Sequence, residues 1–113
     1  MKMGIFSSKE QDAIEQIEKI NRRIKTIREM MRQSPDDQLT RYNIRDAALL
    51  LNECTTFWQK YQGYVSKMNF MQKTLFMGKT VECWNGENVG VFTWEMYYKK
   101  VFSALTDEVR RLS

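Results

Sequence analysis

The sequence predicts a mainly α-helical fold, an elongated antiparallel three-helix arrangement with one long central helix and a small β-hairpin between the second and third helices. Three observations carry that prediction. Apolar residues recur at 3–4 spacing through most of the 113 residues. The single proline falls between two such stretches, where it opens a helix. One short stretch, 79–92, switches to strand-forming residues around an Asn-Gly pair. A domain ordinarily takes about 100–200 residues, so residues 1–113 are read as one helical domain.

The first helix is expected over 8–33. Ser7 with Glu10, or Ser8 with Gln11, has capping-box spacing and satisfies two N–H groups that the helix leaves open. Ala13, Ile17, Ile20, Ile24, Ile27 and Met31 then form a seam of the coiled-coil kind, with Ile14 widening it. Ser34 is a natural N-cap, Pro35 suits the first helical position, and Asp36 and Asp37 complement the helix dipole. So short a connection returns the chain antiparallel.

The second helix is expected over 35–76. Ile44, Ala47, Leu51, Cys54, Trp58, Tyr61, Val65, Met68, Gln72 and Leu75 keep one phase, and Leu50, Phe57, Tyr64 and Met71 add a column. Gly63 costs about 1 kcal/mol relative to Ala, but the phase is the same on both sides of it. A continuous helix of about 63 Å follows, at 1.5 Å per residue; a kink near 62–63 is the alternative. Gly78 ends it. Thr80–Trp84 and Glu87–Phe92 read as strands joined by a type I′ turn at Asn85-Gly86.

Thr93 is expected to cap a third helix over 94–112, with Trp94, Val101, Phe102, Leu105 and Val109 on its apolar face. By length, the first helix covers the N-terminal half of the central helix and the third covers its C-terminal half. Five of the seven Ile lie between 14 and 27, and twelve of the fourteen aromatics between Phe57 and Phe102. An aliphatic end and an aromatic end are therefore expected.

Composition narrows function by exclusion. The chain has no histidine, which removes the commonest general base, the Ser-His and Cys-His pairs and imidazole zinc sites. Two cysteines make no disulfide framework; Cys54 lies on the apolar seam and is read as a buried free thiol. No phosphate-binding loop, Cys-x-x-Cys or calcium loop occurs. No catalytic residue, metal ligand or cofactor is assigned, and an enzyme is not expected.

No stretch approaches the roughly 20 apolar residues of a membrane span, and the expected location is cytoplasmic. Met3-Gly4 through Ser8 matches a myristoylation pattern, but Met1 and Lys2 precede it. That segment is read as an apolar lead-in to the first helix.

The net charge of +4 comes from 18 basic and 14 acidic residues. Arg22, Arg23, Lys25, Arg28 and Arg32 form a candidate contact surface for nucleic acid or an acidic partner, with Trp84 as a stacking platform. Glu15 and Glu18 stand four residues before Lys19 and Arg22, the spacing of a salt-laced solvated face.

The positive signal is excess apolar helical surface. Two paired helices lack a third layer to close their core, so Ile17, Ile20, Ile24, Ile27 and Met31 are the expected seam for self-association or for a protein partner. The expected function is that of a non-enzymatic adaptor, inhibitor or assembly subunit, of the kind phages and mobile elements encode. It would act through coiled-coil-like helices, with homo-oligomers among its assemblies. The alternative is a small basic nucleic-acid-binding protein.

Overall fold

The structure, a computed structural model, describes residues 5–32 and 37–112, and the side chains of 9–32 and 43–112. The elements run α1 (Ile5–Arg32), α2 (Asp37–Ser66), α3 (Phe70–Met77), β1 (Thr80–Glu82), β2 (Asn88–Gly90) and α4 (Val91–Leu112). The molecule measures 51 × 23 × 22 Å. It is mainly helical and elongated as expected, but it has four described helices, because the expected central helix is divided.

α1 forms on the predicted seam. Ile17, Ile24 and Ile27 expose no surface and Ile20 almost none. The helix starts at Ile5, upstream of both candidate caps, so Ser7 and Ser8 lie inside its first turn and neither is the N-cap. The Met3-Gly4 pair and the Ser34-Pro35-Asp36 connection lie outside the described residues. α2 runs antiparallel to α1: Arg23 pairs with Glu53 at 3.1 Å, while Glu10, earlier in α1, stands near Tyr64, later in α2.

The expected 35–76 helix stops at Ser66, past both Gly63 and the alternative kink. Ser66 Oγ donates to the Gly63 carbonyl at 2.9 Å. The Lys67 and Met68 N–H groups then donate three residues back, to Tyr64 and Val65, tightening the last turn until it ends. Asn69 restarts the chain with a capping box. Its Oδ1 accepts from Gln72 N at 2.8 Å and its N–H donates to Gln72 Oε1 at 3.0 Å. The restart shifts the apolar phase: Phe76 is fully buried, while Gln72 and Leu75 of the expected column are exposed.

β1 and β2 pair antiparallel with Val81 opposite Val89. The turn differs from the expected type I′. Asn85 does not have positive φ; only Gly86 does, at 88°. Gly86 N–H donates to Cys83 O at 3.0 Å and Cys83 N–H to Glu87 O at 2.7 Å. That pattern is a three-residue loop closed by a glycine bulge. Asn85 therefore needs no left-handed backbone, and its Oδ1 accepts from Glu87 N–H at 3.0 Å.

α4 begins at Val91, three residues earlier than predicted, and Thr93 is inside it rather than its cap. Val91 N–H donates to Lys79 O at 2.8 Å, so the ladder's last bond is also the helix start. The expected second strand is correspondingly cut to Asn88–Gly90.

α4 starts on the C-terminal half of the expected central helix and runs from there toward its N-terminal half. Trp94 packs edge-on against Tyr61 and Phe57, and Tyr98 stacks on Trp58 and donates its hydroxyl to Cys54 O at 3.1 Å. α4 thus runs antiparallel beside the middle of α2. Beyond Trp94 the end of α2 is covered by Phe76 of α3, which meets Tyr61 and Tyr64. The aliphatic and aromatic parts form one continuous core.

Asn21 joins the layers. It is the buried polar residue among the described positions, 2% exposed. Its Nδ2 donates to Glu82 O and its Oδ1 accepts from Trp94 Nε1, both at 2.7 Å. Glu18 Oε2 accepts from Glu82 N–H at 3.0 Å. Both backbone groups of Glu82 are therefore held by α1, which docks the hairpin onto that helix.

Candidate functional site

The α1–α2 pair has two faces. α4 and the hairpin cover one. The other is an open groove of about 1460 Å³, lined by α1, α2 and α3 together with the short link that joins α2 to α3, and by no residue of the hairpin or α4. Its floor is apolar and aromatic: Ala13 and Ile20 from α1, and Phe57, Tyr61 and Tyr64 from α2. Met68 and Leu75 continue it where the chain breaks and restarts. Gly63 lines the groove too, and a Cβ placed there meets nothing within 4 Å.

The rim is charged. Lys9 and Lys19 stand on α1, Lys60 on α2, and Lys67 in the link just after it. Three carboxylates share it: Glu10, Asp12 and Glu53. Glu53 is held by Arg23 at 3.1 Å and Glu10 by Lys79 at 3.5 Å. The four rim lysines form no ion pair within 4 Å with another described residue, so the groove's edge is predominantly positive.

The structure separates the residues singled out from the sequence. Ile17, Ile24 and Ile27 are in the chain's own core, Ile20 forms part of the groove floor, and Met31 is half-buried. The seam is largely consumed internally because α4 and the hairpin supply the third layer that a two-helix end lacks. Arg22, Lys25, Arg28 and Arg32 are exposed, while Arg23 is half-buried against Glu53. Arg28 lies close enough to Cys83 to act on its thiol, on the hairpin side, whereas Arg23 faces the groove wall. The basic residues of α1 therefore point in different directions. Trp84 is half-buried against the core.

Of the groove lysines, Lys19 belongs to the salt-laced spacing of α1, while Lys60 and Lys67 carry a different signal in the sequence. Between Glu53 and Glu82 the chain carries no acid, and its only charges are Lys60, Lys67, Lys73 and Lys79. The same stretch holds the most exposed large apolar residues, Phe70 at 87%, Met71 and Leu75.

The buried reactive groups are quiescent. Burial pushes the Cys54 thiol up to about 11 and also raises Cys83; both are free and buried. A nucleophilic cysteine needs the opposite environment. Burial and the neighbouring Glu95 carboxylate push the Tyr61 phenol far above its usual range, and its hydroxyl donates to Glu95 Oε2 at 2.8 Å. Burial raises Tyr98 likewise. Among the described residues no cluster of His, Cys, Asp or Glu is able to hold a metal, and no helix is long and apolar enough to cross a membrane.

No protein-family model matches this chain, and neither a curated protein nor a solved structure matches it.

Proposed function

We propose that the protein is a non-enzymatic interaction module, an adaptor, inhibitor or assembly subunit, that holds a helix of another protein in the α1–α2 groove. The observation that carries this reading is the apolar floor itself. Phe57, Tyr61, Tyr64, Met68 and Ile20 line an open channel that no described element fills. A channel between two helices, floored by aromatics and edged by charge, suits an amphipathic helix laid apolar face down. The buried, proton-holding thiols and phenols supply no activated nucleophile, which supports binding rather than catalysis.

Site-specific photo-cross-linking in the native host tests this. A photoreactive residue replaces Thr56 in the groove, or Ser103 on exposed α4 as control. Partners are expected to cross-link from position 56 and not from 103. They are expected to be lost when Gly63→Trp fills the groove from a position with no neighbour to displace. Equal cross-linking from both positions, or cross-links that survive the filled groove, overturns the reading.

A nucleic-acid role is the second reading, supported by the exposure of Arg22, Lys25, Arg28 and Arg32. Substituting these four is expected to abolish salt-sensitive binding to an oligonucleotide if that role is the true one.

A further inference from the structure

We infer that the groove's occupant is an acidic amphipathic helix from a different protein, about five turns long. The inference rests on the groove reading and adds the chemistry of the partner. The α2 lining runs from Leu49 to Tyr64, a rise of about 22 Å, and Lys67 and Met68 of the link extend it by about one more turn of 5.4 Å. The four rim lysines come from both walls, while two of the three rim carboxylates already hold a cation of this chain. A helix lowered onto the floor therefore meets uncompensated positive charge along both of its flanks. Carboxylates at those flanking positions are attracted and lysines repelled.

The same charges argue against a second copy as occupant. Among the described residues, the exposed large apolar side chains other than Leu49 and Phe92 sit among lysines. Phe70 and Met71 lie between Lys67 and Lys73, and Met96 and Tyr97 run directly into Lys99 and Lys100. The carboxylate within that last segment, Glu95, already accepts from Tyr61. Self-docking of either segment sets lysine against lysine.

Three synthetic 18-residue helices test this by titration against the intact protein. They share one leucine face and carry Glu, Gln or Lys on its flanks. At low salt the Glu peptide is expected to bind about 10-fold tighter than the Gln peptide and about 100-fold tighter than the Lys peptide. At about 0.5 M NaCl, where screening acts over roughly 4 Å, the three are expected to converge. Lys60→Glu with Lys67→Glu, both exposed positions, is expected to invert the order, and Gly63→Trp to abolish all binding.

Equal binding of the three peptides, removed by Gly63→Trp, overturns the acidic partner but leaves the groove reading standing. Absence of binding by every peptide at about 1 mM overturns both. A dimer in sedimentation that Gly63→Trp dissolves assigns the groove to a second copy and overturns the inference.

Discussion

Replacing Asn21 by Ala is expected to unfold the protein under conditions that the parent tolerates, through two hydrogen bonds rather than lost apolar packing. The Trp94 ring is completely buried, so its Nε1–H has no water to replace Asn21 Oδ1. A buried donor left unsatisfied costs about 1–3 kcal/mol. The bond to the Glu82 carbonyl is only part-buried, and losing the Nδ2 donor there costs about 0.5–1.5 kcal/mol, the net worth of one bond. The sum is about 1.5–4.5 kcal/mol, a large part of the 5–15 kcal/mol of an ordinary domain. It corresponds to a fall in Tm of roughly 6–25 °C at this chain length. Urea unfolding followed by tryptophan fluorescence and circular dichroism measures it. A double-mutant cycle with Trp94→Phe, which keeps a ring and removes the N–H, isolates the shared bond. The coupling is expected at about 1–2 kcal/mol. A coupling below about 0.5 kcal/mol, or an Asn21→Ala variant as stable as the parent, refutes the bridging role.

Three further outcomes are expected. Phe76→Ala costs about 3–5 kcal/mol in urea unfolding, while Leu75→Ala, one residue away but exposed, stays below about 1 kcal/mol; the reverse order would mean that the apolar phase runs through the α2–α3 break unchanged. Gly63→Ala stabilises by about 0.5–1 kcal/mol, since the added methyl meets nothing and helix propensity rises; a lower urea midpoint contradicts this. Stability falls in alkali. Cys54, Tyr61 and Tyr98 all hold their protons to higher pH folded than unfolded, so their contribution is whole below the unfolded values of 9.0 for the thiol and 10.0 for the phenols and is lost as pH rises above them. The slope reaches about 1.4 kcal/mol per pH unit for each group, Tyr98→Phe reduces it, and a flat profile of urea midpoints up to about pH 11 refutes the burial argument.

Periodicity made the α1 seam legible, because burial of an aliphatic stripe is a repeating demand that the spacing of Ile17, Ile20, Ile24 and Ile27 states directly. The same stripe hid the break after Ser66. Apolar spacing records which face is buried, not whether the backbone ladder is continuous. The signal for the restart was polar, the Asn69–Gln72 capping box, and it sat inside an apolar column. Asn21 was hidden for a related reason. It lies four residues after Ile17 and three before Ile24, on the buried face, where a polar residue implies a buried partner. Naming Trp94 and Glu82 as those partners requires the hairpin and α4 to be in place. Surplus apolar surface is legible in the seam, and Ile20 belongs to both the seam and the groove floor, but which isoleucines the chain covers itself is not, because the third layer that takes them comes from residues late in the chain.

That lateness has a consequence for biogenesis. Asn21 meets Glu82 and Trp94 across sequence separations of 61 and 73 residues. Synthesis at roughly 5–20 residues per second leaves an interval of about 4–15 s between Asn21 and Trp94. Through that interval the nascent α1 carries its isoleucine stripe without the layer that will cover it. The nascent chain therefore has an aggregation-prone stripe at residues 14–27 during synthesis, which is where co-translational chaperone contact would act.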